Sequence, residues 1–570
     1  MRPVCLRPRT LVDDGGFGRM HPVLARIYRG RGLRSEAELS LRLAALLAPD
    51  ALGGIEQAAE RLAQAVMGAE RIAVVGDFDA DGATGTALAV WALRACGATR
   101  VEYHVPHRFL DGYGLSASFA ERIAAGGPGV LLTVDHGVAC VAGVSAARAA
   151  GMDVLVSDHH LPGPVLPPAL AMVNPNLPGD AFPSKALAGV GVVFYLLAAL
   201  RRVLQGHGHF AGREAPNLAD GLDLVALGTV ADLVPLDHNN RILVQAGLER
   251  MRRGRARPGL QALLDVAGRD YRQVAAADLG FALAPRLNAA GRLEDMTVGI
   301  RCLLSDSPAE ARLLAEQLDA LNAERRALQA EMEEAAEAAV QGKLNQLGGA
   351  LPAGLVVAED DWHAGVVGLV ASRLVERFGR PVLALAPVDG QWRGSGRSVP
   401  GFHLRDALVE VDRRAPGLLA RFGGHAMAAG FSTDSDQRQP LAEIFAEVCQ
   451  QQLGPQPETP LLETDGSLQP DQIDLSLAQE LAAAGPFGQG FPEPLFDDDF
   501  ELLDQRIIKG RHLLLKVRHE GGGAPLTAWW FKRAEPLPQS SVRLAYQLQV
   551  DDYQGLYRPK LVIRAEGQRG

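Results

Sequence analysis

Four short segments carry the residue types of metal-assisted hydrolysis: Asp77, Asp79 and Asp81 in GDFDADG, Asp135 in TVDHG, Asp158, His159 and His160 in SDHH, and Asp232 in GTVADLVPL. A lone Asp-x-Asp-x-Asp run is also compatible with a solvated turn or a calcium loop, and a His-His pair alone says less still. Together the four say more. Carboxylates gathered in one place repel one another and raise one another's pKa unless cations lie among them, so two divalent metal ions are the economical account. Imidazole mixed with carboxylates and no thiolate suits Mn2+ or Mg2+, with manganese better matched to the nitrogen ligand. Two metals about 3.5–4 Å apart clamp the attacking and leaving oxygens of a phosphodiester and generate hydroxide near neutral pH. Phosphodiester hydrolysis is the predicted reaction.

Such chemistry requires a fold that brings the segments together. From residue 71 the sequence repeats one unit: a short β-branched strand, a polar or acidic turn, and an Ala/Leu-rich helical stretch. The strands read RIAVVG (71–76), RVEYHV (100–105), GVLLTV (129–134) and DVLVS (153–157). Continuous apolar strands alternating with helices predict a parallel sheet covered on both faces. The acidic residues follow these strands directly and are expected at the carboxyl edge of the sheet, where open α/β folds place ligands. Asp232 is read in the same way, at or near a strand end.

Residues 307–345 predict one long helix, with Ser307 as N-cap, Pro308 at the first helical position and Glu310 three residues after the cap. Leu314, Leu318, Leu321, Leu328 and Met332 give it an apolar face. At 1.5 Å per residue it runs on the order of 50 Å, enough to bridge two domains, although packing along one domain is equally consistent. After Gly348 and Gly349 a second α/β unit is expected from GLVVAED, a helix at 366–378, the strand PVLALAP and a glycine-rich stretch. Residues 454–460, GPQPETP, read as a linker. Beyond them HLLLKVRHE, PLTAWWF, VRLAYQLQVDDY and PKLVIRAE predict a small β-barrel.

The 570 residues leave room for three or four domains, and 47% hydrophobic with 22% charged residues excludes a disordered chain. A net charge of −10 opposes whole-surface attraction to nucleic acid, so any such site must be a local basic patch. The C-terminal residues 501–570, with 12 Lys and Arg against 7 Asp and Glu, supply one. Cys5, Cys96, Cys140, Cys302 and Cys449 are widely spaced with no CxxC pair, which suggests reduced, buried thiols in a cytoplasmic protein. The basic N-terminus lacks the apolar stretch of a secretory signal. The apolar uncharged run at 186–200 is short for a membrane span and suits a buried helix, so no membrane association is expected.

DFDADG, TVDHG, SDHH and VADLVP, in this order and spacing, resemble the motifs of the DHH phosphoesterase superfamily. PRLNAAGR (285–292), GSGRS (394–398), FGGHAMAAG (422–430) and GPFGQGFPEPLF (485–496) narrow the resemblance to RecJ-type exonucleases over nearly the whole chain. The resemblance implies a multidomain α/β protein: a parallel-sheet DHH domain, a long connecting helix, a DHH-associated α/β domain and a C-terminal OB-like β-barrel. The expected boundaries are 1–50 for an N-terminal segment, 51–245 for the DHH catalytic domain, 246–350 for the helical connector, 351–455 for the DHH-associated domain and 456–570 for the OB-fold DNA-binding domain. It further implies that Asp79 and Asp81 bind one metal each, that Asp135 bridges both, and that His159 and Asp232 complete the second site. Asp77 becomes an outer ligand or orienter, His160 assists charge at the scissile phosphate, and Asp158 fixes an imidazole tautomer. His136 is as well explained by capping the next helix.

By the same resemblance, Arg108 in HRFLDGYG and Ser372 with Arg373 in VASRL are expected to bind a 5′ phosphate, a task suited to arginine with a hydroxyl. An ordinary helix surface remains the other reading of Ser372 and Arg373. Arg397, Gly423, Gly424 and His425 are expected along a facing wall, with Gly424 open to being a plain turn. Asn288 and Arg292 are expected to contact the strand, with helix capping the competing role for Asn288. Tyr113 is a candidate stacking residue, as is one of Trp529 and Trp530; adjacent strand residues face opposite ways. The implied function is a single-strand-specific 5′–3′ DNA exonuclease of recombination and repair, monomeric and cytoplasmic, delivered to its substrate by a helicase and a single-strand-binding protein. The alternatives are a DHH phosphodiesterase of oligoribonucleotides or cyclic dinucleotides, a non-catalytic scaffold, and a pyrophosphatase.

Overall fold

The structure is a computed structural model describing residues 4–13, 16–108, 110–346, 351–388, 390–453, 461–551 and 556–568. The predicted linker at 454–460, and Gly348 with Gly349, lie outside those residues. The chain forms two compact units, Ala320–Thr459 and the remainder, Arg2–Asp319 with Pro460–Gly570.

In the larger unit the N-terminal strand β1 (Cys5–Pro8) is followed by a five-stranded parallel sheet of β2 (Ile72–Val75), β3 (Val101–His104), β4 (Gly129–Val134), β5 (Met152–Ser157) and β6 (Ala171–Val173). Its order is β3-β2-β4-β5-β6. β2 and β4 are buried along their whole length, as continuous apolar strands should be when helices cover both faces. The order sets β2, β4 and β5 side by side, so the three predicted acidic turns emerge together. β6 has only three residues and no periodic signature in the sequence. The apolar run around 190–200 forms the buried helix Gly189–Gly206, which packs with the helices Ala80–Cys96 and Leu222–Ala231.

The long helix spans Pro308–Gln346. Ser307 caps it, its Oγ accepting from Glu310 N at 3.4 Å. Glu310 departs from the expected capping box: its carboxylate accepts from Ser305 Oγ at 2.8 Å and pairs with Arg301. The division between the two units falls within this helix.

The smaller unit holds a mixed sheet of β7 (Leu355–Ala358), β8 (Val382–Val388), β9 (Gln391–Arg397), β10 (Arg421–Gly424) and β11 (Ala428–Thr433), in the order β10-β11-β9-β8-β7. Only β7 and β8 run parallel. Its core gathers Leu383, Leu385, Trp392, Leu404, Leu408 and Phe445.

In the larger unit again, β12 (Leu461–Thr464) pairs in parallel with β1. Arg31 locks this junction through a bidentate pair with Asp465, at 2.7 and 3.1 Å, both side chains fully buried. The predicted barrel is closed, in the order β13 (Phe496–Ile508), β14 (His512–His519), β15 (Leu526–Trp530), β17 (Arg558–Glu566) and β16 (Ser541–Asp551). β13, its longest strand, is absent from the sequence reading because FDDDF looks like a polar loop. The acids are instead satisfied inside: Asp498 accepts from Tyr546 Oη at 2.7 Å and Leu468 N at 3.1 Å, and Asp497 accepts from Arg543 Nη2 at 2.6 Å.

Candidate metal centre

Each acidic turn is held by backbone amides. Asp79 caps the Ala80–Cys96 helix, Oδ1 accepting from Gly82 N at 3.0 Å. Asp77 Oδ1 accepts from Phe78 N at 2.7 Å. Asp81, one turn on, is aimed at a second helix start, where Gly189 N and Val190 N donate to its two oxygens at 2.6 and 3.0 Å. Asp135 directly follows β4 at φ +65°, a left-handed conformation that Asp and Asn tolerate better than most residues. Gly189 presses against it: a Cβ there would lie 2.6 Å from Asp135 Cβ. After β5, Asp158 Oδ1 accepts from His159 N at 2.7 Å, His160 N at 3.0 Å and His160 Nδ1 at 2.8 Å, while Oδ2 accepts from Val138 N at 2.8 Å.

Asp232 corrects the sequence reading. It is the C-cap of the helix Leu222–Ala231, which is buried nearly all round. A short uniformly apolar run does not distinguish a buried strand from a buried helix by periodicity.

The segments converge. Ligand atoms of Asp77, Asp79 and Asp135 lie within 4.8 Å of one another, as do those of Asp81, His159 and Asp232, and those of Asp135, His159 and His160. Asp135 stands in two of these groups. His159 Nε2 lies 3.1 Å from Asp135 Oδ1 and 3.5 Å from Asp232 Oδ2. Both Asp135 Oδ1 and His159 Nε2 are buried without a hydrogen-bond partner. Two orphaned lone pairs facing each other fit a shared cation, and the donor set of carboxylates and imidazole fits Mn2+ or Mg2+.

Burial first, and then the neighbouring carboxylates, push Asp77 up to about 8, Asp81 to about 7 and Asp232 to about 9, with Asp135 well above the usual carboxylate range. Burial and the nearby His160 charge lower His159 to about 4, leaving it neutral as a ligand must be. Burial opposes charge on His160 too, but the Asp158 hydrogen bond and charge outweigh it and raise His160 to about 9. Burial likewise acts to raise Asp158, yet His160 holds it down at about 2. His160 and Asp158 are thus an ion pair at neutral pH, and His160 offers a proton where His159 offers a lone pair. His136 is buried, its Nε2 set 3.1 Å from Val75 O, and burial lowers it to about 4.

Of the residues expected to handle substrate, Arg108, Tyr113, Asn288 and Arg292 belong to the larger unit. Arg108 Nε donates to Gly291 O at 2.7 Å, and the guanidinium lies 3.9 Å from the Phe78 ring centroid. Tyr113 is 56% exposed, with Oη 3.2 Å from His160 Nε2 and its ring edge-on to Phe78. Asn288 takes the capping role weighed above in an unexpected form: it sits within the helix Ala284–Leu293 and its Oδ1 accepts from Ala80 N at 2.8 Å, steadying the Asp loop from outside. Arg292 is half-buried in the last turn of the same helix.

The others lie in the smaller unit. Ser372 Oγ donates to Gly368 O at 3.0 Å on the helix Val367–Phe378, and Arg373 pairs with Glu376 at 2.7 Å. Arg397 Nη1 donates to Ser395 Oγ at 2.9 Å, and its Nη2 lies 2.9 Å from where a Cβ on Gly368 would stand. Gly424, at φ +141°, and the exposed His425 shape the β10–β11 hairpin, in which His425 N donates to Ala428 O at 2.8 Å. Gly423 is exposed on β10. On the barrel Trp530 is buried while Trp529 turns outward and stacks on Phe531, ring centroids 5.8 Å apart and planes 10° from parallel.

Three domain models match the chain: the DHH family, N-terminal domain, over residues 71–229; the DHHA1 domain over 352–451; and the RecJ OB domain over 464–565. The chain is 51% identical to the single-stranded-DNA-specific exonuclease RecJ of Dickeya dadantii over 98% of each chain, and 49% identical to that of Escherichia coli over 95% of each. The chain belongs to the RecJ family. Crystal structures of RecJ from Thermus thermophilus in complex with Mn2+ and with Mg2+ superpose on it with TM-scores of 0.82 and 0.76. Their identities are 31% and 29%, and they cover all of this chain against 80% and 79% of theirs.

The acidic cluster also depends on residues that the motif reading passes over. Asn174 Nδ2 donates to His160 O at 2.9 Å and Asn176 Nδ2 to His159 O at 2.6 Å, so the VNPN segment clamps the two histidines. Two asparagines just after β6 were the available signal. Asn288 is the most informative of these supports, because its bond crosses 208 residues. Asn288→Ala should lower metal affinity by about 10–100-fold, the usual consequence of losing an outer support. Titration of Mn2+ binding by calorimetry checks this, and unchanged affinity would show the cap to be dispensable.

Proposed function

We propose that this chain is a single-strand-specific exodeoxyribonuclease that hydrolyses phosphodiester bonds from the 5′ end with two divalent ions, Mn2+ or Mg2+, in DNA recombination and repair. The observation that carries the reading is the convergence of Asp77, Asp79, Asp81, Asp135, His159 and Asp232 around buried, unpartnered donor atoms, in a chain of the RecJ family. Asp79 and Asp81 would each hold one metal, Asp135 would serve both, His159 and Asp232 would complete the second site, and Asp77 would orient from outside. When bound, the metals supply Lewis acidity and a hydroxide near neutral pH. The protein's own groups do the rest. His160, charged through Asp158, faces developing negative charge at the scissile phosphate and supplies a proton from Nε2, where Tyr113 Oη already lies.

Arg108 is the proposed 5′-phosphate contact of the larger unit, and Ser372 with Arg373 those of the smaller. Arg397, Gly424, His425 and Arg292 are proposed to contact the strand, and Asn288 to steady the Asp loop beside it. The outward stack of Trp529 on Phe531, on a basic barrel, supports base stacking there. The barrel also disfavours the runner-up, a phosphodiesterase of oligoribonucleotides or cyclic dinucleotides, which has no need of a polymer-binding module. A cytoplasmic monomer working with a helicase and a single-strand-binding protein completes the proposal.

Digestion of single strands labelled at either end, with Mn2+, Mg2+ or chelator, tests it. The 5′ label should be released first, as mononucleotide, and only with metal. Arg108→Ala should remove most of the preference for a 5′ phosphate over a 5′ hydroxyl. Cleavage of dinucleotides alone would overturn the assignment.

A further inference from the structure

We infer that Phe281 is a stacking contact for a base of the single strand bound at the metal centre, an inference that rests on the exonuclease reading above. Phe281 is 85% exposed, while Leu279, Ala282 and Leu283 around it are buried. It stands in a π-helical turn, Leu279–Leu283, that leads into the helix Ala284–Leu293. Such turns are rare and concentrate at functional sites. The turn is pinned on both sides by elements that set the metal ligands. Gly280 faces the helix that ends in Asp232: a Cβ there would lie 3.3 Å from Val230 Cγ1. Downstream, Asn288 bonds Ala80 N, and Gly291 packs so closely on the Asp loop that a Cβ would lie 1.8 Å from Phe78 O. Leu233, next to Asp232, adds a second apolar side chain, 69% exposed and at φ +59°.

An exposed aromatic ring on a turn packed against the helix that ends at Asp232 has a particular use in this enzyme. Phosphates near Asp77, Asp79, Asp81, Asp135 and Asp232 are held through metal and His160, and those contacts say nothing to the bases. An enzyme that degrades any sequence needs base contacts that every base satisfies, and a ring face provides them, since each base has a π-face. The ring is fixed on a helical turn rather than a loop, so little order is lost on binding.

The test compares Phe281→Ala and Phe281→Trp in the full chain, with KM and kcat measured on single strands that are intact or carry one abasic site at successive positions from the 5′ end. Phe281→Ala should raise KM roughly tenfold, the loss of one stacked base, with kcat little changed. Phe281→Trp should restore KM. The loss should be the same at low and high salt, since stacking is not ionic. In the wild type one abasic position should raise KM by a similar factor, and Phe281→Ala should be indifferent to that position. Unchanged KM in Phe281→Ala, or a loss that persists undiminished at every abasic position, overturns the inference and leaves the exposed ring to a protein partner. Failure of the wild type to degrade single strands would instead overturn the exonuclease reading itself.

Discussion

Asp135→Asn should lower the rate of single-strand degradation by at least about a thousandfold while leaving binding of the strand largely intact. Asp135 belongs to two of the three ligand groups, so its loss affects both proposed metals. Metal-borne stabilisation of transition-state charge is worth several kcal/mol, and each 1.4 kcal/mol is about a factor of ten in rate. Asparagine suits the test because it fits the space against Gly189 and tolerates the φ of +65°. The fold should therefore survive, which a thermal melt verifies. Single-turnover cleavage with saturating Mn2+, set beside strand affinity measured by anisotropy, separates chemistry from binding. Activity within tenfold of wild type would show that Asp135 is not a bridging ligand.

How far the site was legible in the sequence follows from what sets each residue's position. Asp77, Asp79, Asp135, Asp158 and His159 sit directly after strands, and a parallel sheet aligns such turns along one edge whatever the side chains are. The order β2-β4-β5 was enough to unite them. Asp232 was visible as a candidate but misplaced at a strand end, because it arrives on a helix whose apolar run looks like a strand. Asn288 was visible as a residue but not in its role, since a bond across 208 residues leaves no local pattern. β13 was hidden by its own acids, whose partners Tyr546, Leu468 and Arg543 are supplied by tertiary structure. Phe281 carries no motif, and only the fold, which buries Leu279 and Leu283 and turns Phe281 outward, brings it to notice.

The same buried carboxylates predict an inversion of pH behaviour on metal removal. Asp77, Asp81 and Asp232, near 3.8 when unfolded, stand at about 8, 7 and 9 in the fold, and Asp135 stands well above its usual range. Between about pH 4 and pH 9 the metal-free folded state therefore binds more protons than the unfolded chain, so its stability falls as pH rises through that window. His160 acts in the same sense: raised from 6.5 to about 9, its pairing with Asp158 stabilises fully below the unfolded value and is lost as pH climbs through 9. Asp158, lowered to about 2, loses its contribution only in strong acid and does not enter the window. Bound Mg2+ replaces the repulsion with attraction and displaces the protons, so metal affinity should rise with pH. Between pH 6 and pH 9 the chelated protein should lose roughly 3 kcal/mol or more, a fall of about 3 °C or more in the melting of a unit of this size. The Mg2+-loaded protein should change far less, so the gap between the two melting curves widens with pH. Parallel melts with Mg2+ and with chelator across that range decide it: a stripped protein more stable at pH 9 than at pH 6 would mean that these carboxylates do not share one desolvated site.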